Sequence, residues 1–451
     1  MFRRKVYQNL ADWKNSTNGT KALLIEGARR IGKSTVAEEF GKAEYRSYLL
    51  IDFSIASNAV KGYFTDYLND LDMLFMLLSA AYGTTLYRRE SLIIFDEVQM
   101  FPFARQAIKH LVKDGRFDYL ETGSLISIKE NVKEIVIPSE ERKIKMYPID
   151  FEEFLSAMGE EQIIPYIKTC FESRQEVDRG IHNKAMMLFK TYMLVGGMPK
   201  AVSAFLENDR SFAAADAEKR DILNLYRDDI MKIKSSYRKR TLLTFDQIPG
   251  FLSTHEKRIV YRQIKENSKS TDFGEPFFWL ADSMICNECF NTADPNIGLS
   301  VNEERTYVKC YMVDTGLLLS HAFDENAILE EEVYRQILQD RLSLNEGMLY
   351  ENAISQMLAA NGHKLFFYTH YSNEKHRNDI EIDFLLSNNS KLKYRMYPIE
   401  VKSSKKYTTK SLQRFRDKYK DRIGDCYIIH PGNLSKKDDI LCIPPYMTIF
   451  L

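Results

Sequence analysis

The sequence lacks any apolar run long enough to cross a lipid bilayer. Its 451 residues are 44% hydrophobic and 28% charged, and every apolar stretch is interrupted well before the roughly 20 residues that a membrane helix needs. The basic start, Met1 to Gln8, leads into polar residues, so the apolar core of a signal peptide is missing as well. We therefore expect a soluble chain that stays in the cytoplasm and has no membrane partner.

Cysteine is scarce. Six cysteines are scattered along the chain, and without a secretion signal the default state of such thiols is reduced. Cys286 and Cys289 have the spacing of a zinc-ligand pair, but no second Cys or His pair follows at the distance that a zinc ribbon requires. We therefore interpret residues 285–290 as a structural strand rather than a metal site.

Net charge is also absent, because 63 basic residues balance 63 acidic ones. No field of the whole molecule would attract it to nucleic acid. The segment 391–422 is locally different, with twelve lysines and arginines against three acids. It is either a solvated helix face or a surface that follows phosphates, and the sequence leaves both interpretations open.

The length favours several domains, since a single hydrophobic core seldom grows beyond about 250–300 residues. In the first part of the chain, apolar strands alternate with amphipathic helices, and the predicted strands are 21–26, 48–53, 92–95 and 118–122. Strands that are apolar throughout and separated by helices indicate a parallel sheet covered on both faces.

The middle and last parts follow other patterns. Residues 180–270 are mostly helical by pattern, and a helix at 271–284 leads into strands at 285–290 and 307–313. Short helices followed by a two-stranded hairpin are the element order of a winged helix. The last part predicts a compact α/β unit, with helices at 345–360 and 409–420 and strands at 365–369, 380–386, 396–401 and 426–430.

The first predicted strand runs into a glycine-rich loop. Residues 27–34 fit the pattern G-x-x-x-x-G-K-[ST], directly after a strand and at the start of a helix, the context in which this P-loop motif is credible. Lys33 would reach the β- and γ-phosphates of a nucleotide, and Ser34 would bind Mg²⁺. We predict ATP as the ligand, bound by Gly27, Ala28, Arg29, Arg30, Ile31, Gly32, Lys33, Ser34 and Thr35.

Two adjacent acids, Asp96 and Glu97, follow the strand at 92–95. Asp96 would bind Mg²⁺ through water and Glu97 would polarise the attacking water, so that these acids and Lys33 form the predicted catalytic set. An acid pair alone is also common as a helix cap, but the P-loop upstream favours the functional interpretation. Thr122 and Ser124 end the next strand, where they either contact the γ-phosphate or water, or form a simple turn.

Several further segments resemble those of a known family. They are TGS at 122–124, YPIDFEEFL at 147–155, GGMP at 196–199, YRDDI at 226–230, DTGL at 314–317 and IEVK at 399–402. Together with the P-loop and the two acids, they resemble the prokaryotic AAA+-type P-loop ATPases that carry a C-terminal domain of unknown function 4143. The resemblance covers nearly the whole chain.

The resemblance implies an α/β fold class with three domains. These would be a P-loop AAA-type domain with a parallel sheet (1–175), a helical and winged-helix domain (176–335), and a restriction-endonuclease-like α/β domain (336–451). Ser139 to Arg142 lacks the Gly-Arg pair of some family members, so no arginine finger is carried over. Arg142, Arg116 and Arg105 are candidates, but for each of them a surface salt bridge is the favoured interpretation.

The C-terminal part carries residues in the order of a PD-(D/E)xK nuclease pattern. Glu351 lies on a predicted helix, Asp383 on a strand, and Glu400 with Lys402 on the next strand, where residues two apart share a face. Asp383 and Glu400 would hold a divalent ion that activates water, while Lys402 would position the nucleophile. The alternatives are an exposed ion pair on an edge strand or an inactive DNA-binding relic.

Two functions therefore remain open at this stage. The first is a Mg²⁺-dependent ATPase that acts on or with DNA, whose phosphates would contact Arg258, Arg262, Lys265 and Lys269. The second is an ATP-driven conformational switch that docks a protein partner and has an inactive nuclease-like module. Both allow a homo-oligomer, and metal-dependent cleavage of DNA belongs only to the first.

Overall fold

The described part of the chain forms two compact units. The computed structural model describes residues 2–124, 137–233, 237–254, 257–259, 270–295, 298–324, 329–339, 341, 345–372, 377–388, 395–404 and 407–451. One unit comprises residues 1–147 with 282–284, and the other comprises 148–281 with 285–451. Residues 148–175 thus group with the second unit, and the three-domain division remains a prediction.

The first unit is built on a five-stranded parallel sheet. Its strands are β1 (Ala22–Gly27), β2 (Ser47–Asp52), β3 (Ser91–Asp96), β4 (Asp118–Gly123) and β5 (Glu141–Met146). They lie in the order β2-β3-β4-β1-β5, and all four pairings are parallel. The expected α/β class with a parallel sheet is confirmed, and each of the four predicted strands is present within one residue at either end.

Helices cover this sheet, as the continuous apolar strands require. They are α1 (Val6–Thr17), α2 (Lys33–Glu44), α3 (Asn58–Asp66), α4 (Leu71–Tyr82) and α5 (Pro102–Asp114). Every residue of β1, β3 and β4 is buried, because helices pack on both faces of a parallel sheet. Phe53, Phe64 and Phe95 pack edge to face in the core between β2, β3 and α3.

The second unit begins with helices and has further helices between its strands. Its helices are α6 (Phe151–Ala157), α7 (Ile163–Ser173), α8 (Arg179–Val195), α9 (Pro199–Glu207), α10 (Phe212–Met231), α11 (Arg238–Asp246), α12 (Ile248–Ser253), α13 (Ser270–Asp282), α14 (Thr315–Ala322), α15 (Glu331–Leu338), α16 (Glu346–Ala360) and α17 (Lys410–Lys418). Helix α6 starts with a capping box, in which Asp150 accepts from the amide of Glu153 and the Glu153 side chain accepts from the amide of Asp150.

The same unit contains two sheets. One has the order β7-β6-β8-β9 and comprises β6 (Cys286–Thr292), β7 (Glu303–Met312), β8 (Leu365–Ser372) and β9 (Arg377–Ile382). The other has the order β10-β11-β12-β14-β13 and comprises β10 (Phe384–Asn388), β11 (Arg395–Val401), β12 (Cys426–Ile429), β13 (Ser435–Lys437) and β14 (Ile440–Ile443). The second sheet mixes parallel and antiparallel pairings.

The predicted helix-then-hairpin order is present, but the hairpin is not free. β6 pairs with β7 in antiparallel fashion and also with β8 in parallel fashion, so the hairpin is one edge of a four-stranded sheet. The winged-helix interpretation remains a prediction. Cys286 and Cys289 are buried on β6, in agreement with the structural-strand interpretation.

The segments GGMP and DTGL meet in the core of the second unit. Buried Asp314 caps α14 by accepting from the amide of Leu317 at 2.9 Å, and it also accepts from the amide of Gly197 and from Gln356 Nε2. A Cβ on Gly316 would lie 2.5 Å from the carbonyl oxygen of Val195. Close packing of the backbone therefore explains why glycine is found in both segments.

Within the residues that the structure describes, no helix is both long enough and apolar enough to cross a membrane.

Candidate functional site

The P-loop connects β1 to α2 at the carboxyl edge of the parallel sheet. Gly27 ends β1, where an added Cβ would lie 2.6 Å from the carbonyl oxygen of Met146. Gly32 precedes α2 with a φ of 90°, a conformation that glycine adopts without strain. The loop therefore needs both glycines of the motif, and it leads directly to the helix N-terminus that can bind an anion.

Lys33 is folded back onto this loop. Its Nζ donates to the carbonyl oxygens of Gly27 at 3.1 Å and Ala28 at 2.9 Å, and the residue is only 6% exposed. Burial lowers the pKa of the Lys33 ammonium to about 8, although the carboxylates of Glu97 and Asp96 oppose the shift. A buried ammonium held by carbonyl oxygens is suited to receive phosphate oxygens.

Asp96 joins the two halves of the predicted site. It ends β3, and its Oδ1 accepts a hydrogen bond from Ser34 Oγ at 2.7 Å, across 62 positions of sequence. The same Oδ1 accepts from the hydroxyl of Thr122 on β4, the strand that lies between β1 and β3. Ser34 and Asp96 thus offer the hard oxygen ligands that Mg²⁺ prefers, and these residues fit that ion.

Glu97 follows β3 in a left-handed conformation with a φ of 50°, which is uncommon for a residue with a side chain. Its amide donates to Thr122 Oγ1 at 3.3 Å, and its carboxylate accepts from Gln99 Nε2. The backbone turn and Gln99 together fix the direction of this carboxylate. Thr122 thus contacts both acids of the site, whereas Ser124 is buried at the end of the described segment.

The remaining predicted ligands lie around the loop. Ala28 and Ile31 are buried, Gly32 and Arg29 are partly exposed, and Arg30 and Thr35 are exposed. Arg30 has a φ of 68°, so its backbone shares the left-handed conformation found nearby at Gly32. The exposed side chains can be reached by a bound nucleotide or by solvent.

The three arginine-finger candidates differ sharply in their surroundings. Arg105 is 2% exposed and makes a bidentate pair with Glu141, at 2.7 and 2.8 Å, so it is a structural residue of its own unit. Arg116 bonds Asp114 at 2.7 Å and lies over the ring of Phe75. Arg142 is exposed on β5, and in the described part of the chain its side chain makes no ion pair.

Known families match three successive parts of the chain. Residues 19–155 match the model of the AAA domain, residues 186–327 match the domain of unknown function 8612, and residues 346–447 match the domain of unknown function 4143 (DUF4143). The chain pairs an AAA domain with DUF4143. This pairing confirms the resemblance, and the P-loop, Asp96, Glu97 and Thr122 all lie within the AAA domain.

Solved structures resemble the chain only weakly. C. elegans PCH-2 is 11% identical over 44% of this chain and 57% of that chain, with a TM-score of 0.24. A Signal Transduction ATPase with Numerous Domains from Pyrococcus horikoshii is 14% identical over 77% and 47%, with a TM-score of 0.26. Cdc6p from Pyrobaculum aerophilum is 10% identical over 75% and 94%, with a TM-score of 0.24. The chain thus spans about half the length of the first two, and scores this low indicate nothing about function.

No curated protein matches the sequence closely enough to count as a relative.

The four nuclease-pattern residues come together in the region matched by DUF4143. Glu351 is buried on α16, and Asp383 lies between β9 and β10. Glu400 lies near the end of β11, and Lys402 follows the last residue of that strand. Lys402 Nζ is 2.9 Å from Glu400 Oε2, and the amide of Val401 donates to Asp383 Oδ2 at 2.9 Å. Asp383, Glu400 and Lys402 line a cleft of about 480 Å³.

Three residues outside the pattern complete this cluster. Lys309 Nζ on β7 lies 3.0 Å from Glu351 Oε1 and 3.7 Å from Asp383 Oδ1. Lys257 pairs with Glu351 Oε2, and the hydroxyl of Tyr311 donates to Glu351 Oε1. The sequence patterns did not predict any of the three. A lysine flanked by Val308 and Cys310 in an apolar strand was the available signal, because a buried lysine requires an acidic partner.

Lysines already pair with two of the carboxylates of this second cluster, Glu351 and Glu400. Within the described residues, no group of three or more His, Cys, Asp or Glu side chains is arranged to hold a metal ion. Burial raises the pKa of Glu351, but Lys309 and Lys257 outweigh burial and bring this pKa down to about 2. The carboxylate is therefore already neutralised by lysines, and metal binding by Asp383 and Glu400 stays a prediction from the sequence.

Proposed function

We propose that this protein binds ATP together with Mg²⁺ and hydrolyses the ATP. The observation that carries the proposal is the 2.7 Å hydrogen bond from Ser34 to Asp96, which joins the P-loop to the acids that end β3. The match of residues 19–155 to the AAA domain supports it. Ser34 and Asp96 would hold Mg²⁺, and the ion would offset the negative charge of the phosphates.

Each residue of the site has a separate role in this proposal. The ammonium of Lys33 leaves the carbonyls of Gly27 and Ala28 and binds phosphate oxygens. Glu97 accepts a hydrogen bond from the attacking water and draws its proton away, which requires the fixed carboxylate direction that Gln99 provides. Thr122 lies between the two acids and holds Asp96 in register with Ser34.

Lys33→Ala is expected to weaken ATP binding by about 10- to 100-fold, the worth of one charge-assisted hydrogen bond, and to remove measurable hydrolysis. Calorimetric titration with ATP and Mg²⁺ gives the affinity, and phosphate release gives the rate. Lys42→Ala is the matched control, because Lys42 lies on the same helix but pairs with Glu38 and Glu39 on the surface. Wild-type affinity and rate in Lys33→Ala would contradict the proposed site.

ATP affinity is expected to fall as the pH rises through about 8. Phosphate oxygens bind the charged form of Lys33, whose pKa in the free protein is about 8. Affinity therefore stays constant below a pH of about 7 and decreases above 8, by at most tenfold per pH unit, while ATP binding takes up protons. Calorimetry in buffers of different ionisation enthalpy measures that uptake.

Lys33→Met is the control for this titration, because its side chain has no proton to lose. The remaining ATP affinity of this variant is therefore expected to be independent of pH. A wild-type affinity that is constant between pH values of about 7 and 9 would show that Lys33 does not titrate in the free protein.

We consider two proposals for what the protein does with the energy of ATP hydrolysis. In the first, the protein acts on or with DNA through the middle and C-terminal regions; Arg258 lies over the ring of Tyr307, while Arg262, Lys265 and Lys269 lie outside the described residues. In the second, ATP drives a conformational switch that docks a protein partner. The cleft favours the second, because its lining holds four basic and four acidic side chains.

The basic helix α17 also bears on this choice. Arg414 donates to the carbonyl of Asp379 at 2.9 Å, Arg416 to that of Asp438 at 2.7 Å, and Lys418 to Tyr368 at 2.8 Å. These basic side chains therefore have bonding partners within the unit. The bonds support the interpretation of α17 as a helix face that packs and is solvated, rather than one kept free for phosphates.

The ATPase rate with and without duplex DNA separates the two uses. Stimulation that declines steeply between about 50 and 200 mM salt is the signature of phosphate contacts, and it would favour the first. A rate that is independent of DNA and salt would favour the second.

Because Arg142 is exposed, we also propose a homo-oligomer. In that case the ATPase rate per chain is expected to rise with protein concentration.

A further inference from the structure

Three carboxylates and three lysines meet beside the cleft in the second unit. Glu351 comes from α16, Asp383 from the junction of β9 and β10, and Glu400 from β11. The lysines are Lys257, Lys309 and Lys402, and each lies within ion-pair distance of at least one of these carboxylates. The cluster is thus balanced in formal charge without any added ion.

Lys309 holds the central position in this cluster. Its Nζ lies 3.0 Å from Glu351 Oε1 and 3.7 Å from Asp383 Oδ1, so it bridges carboxylates from two different elements. The side chain is 2% exposed. Tyr311, two residues further along β7 and therefore on the same face, donates to Glu351 Oε1.

The geometry of these pairs supports a charged Lys309. Its Nζ faces the carboxylates of Glu351 and Asp383 from a buried position, and Glu351 also pairs with Lys257. A buried carboxylate without such a partner would be strongly unfavourable.

We propose that Lys309 is a built-in cation that takes the place of a divalent metal ion between Glu351 and Asp383. The nuclease-like cleft is then a metal-independent, charge-balanced surface. A metal entering here has to displace a buried ammonium from its carboxylates, and an unpaired buried charge is strongly unfavourable. The proposal goes beyond ATP hydrolysis, because it concerns a different site.

Glu400 is a poor metal ligand in this cluster. The residue is 2% exposed, and its Oε2 lies 2.9 Å from Lys402 Nζ. A carboxylate oxygen that already pairs with a lysine is not free to bind a metal ion, so this pairing disfavours metal binding.

The test is calorimetric titration of the full chain with Mn²⁺. All proteins carry Asp96→Asn, which removes the carboxylate ligand proposed for the metal of the ATP site, so failure of the proposed ATPase function cannot affect the result. This parent is expected to bind no Mn²⁺ at the cluster. Lys309→Met, which removes the charge and keeps most of the side-chain length, is expected to gain Mn²⁺ binding at least tenfold tighter than any in the parent, and adding Asp383→Asn abolishes that gain.

Two controls define the specificity of this gain. Lys309→Arg retains the cation and is expected to bind no Mn²⁺. Lys436→Met removes a lysine that pairs with Asp439 on the surface of the same unit, and it is expected to behave as the parent. Folded Lys309→Met that gains no Mn²⁺ binding would overturn the proposal, and so would Mn²⁺ binding by the parent that Asp383→Asn abolishes.

Thermal unfolding keeps the proposal testable if Lys309→Met does not fold. Mn²⁺ is expected to leave the unfolding midpoint of the parent and of its Asp383→Asn variant unchanged, since neither binds the ion at the cluster. A Mn²⁺-dependent rise in the midpoint of the parent that Asp383→Asn removes would establish the metal site predicted from the sequence and refute the built-in cation.

Discussion

Glu97→Gln is expected to slow ATP hydrolysis by about two to four orders of magnitude, the usual contribution of a positioned general base. Glutamine has the size of glutamate and keeps a hydrogen-bond acceptor, but it cannot take a proton from water. Lys33, Ser34 and Asp96 are unchanged in this variant, so ATP affinity is expected to stay within a few fold of wild type. The variant therefore separates binding from turnover, which Lys33→Ala does not.

The measurement pairs calorimetric ATP titration with single-turnover hydrolysis, so that slow product release does not hide the chemical step. Glu90→Gln is the matched control, because Glu90 lies just before the same strand and pairs with Arg46 at the surface. Normal turnover by Glu97→Gln would mean that another group activates the water, and the role assigned to Glu97 would be wrong.

Gly197→Ala is expected to lower the free energy of unfolding of the second unit by about 2–4 kcal/mol. A Cβ at this position would lie 2.0 Å from the carbonyl oxygen of Ile149, and the backbone cannot move away freely. The Gly197 carbonyl accepts from the amide of Ile149 at 2.7 Å, and the Gly197 amide donates to buried Asp314. Relieving the clash therefore disturbs two hydrogen bonds in the core.

Gly274→Ala is the matched control in the same unit. Gly274 lies within α13, and the nearest atom that a Cβ would meet there is 3.9 Å away. The substitution is expected to be neutral or to stabilise by up to about 1 kcal/mol, the helix propensity difference between alanine and glycine. Trp279 fluorescence during denaturant unfolding, in a Trp13→Phe background, reports on this unit alone. Equal stability of both variants would contradict the packing argument.

The strands of the first sheet illustrate what local pattern can predict. β1, β3 and β4 are buried along their whole length, and β1 and β3 can be recognised because most of their residues are apolar. β5 was not predicted, because Glu141 to Met146 is largely charged and only its last residue is buried. Among the described strands it is an edge strand beside β1, and charged residues are common on edge strands.

The hairpin of the second unit shows the opposite limit. The strand β6 was predicted within two residues, and β7 begins four residues before its predicted start. Nothing near them in sequence indicates that β6 also pairs with β8. That pairing brings Cys289 beside Leu365, and it depends on the packing of the whole unit. Whether a hairpin is a free wing or one edge of a sheet is a property of tertiary structure.

The sequence by itself predicted the residues of the proposed ATP site, because each half of that site is a local motif. A P-loop must follow a strand and open a helix, and acids that end a parallel strand reach the same edge, so spacing alone predicts that Ser34 and Asp96 meet. Only the tertiary structure decided which charged side chains surround the carboxylates of the second cluster. Lys309 and Lys257 stand 42 and 94 positions from Glu351, and no motif relates them. A carboxylate in a metal site and one neutralised by lysines look alike in sequence, since the difference lies in which charge the fold brings beside them.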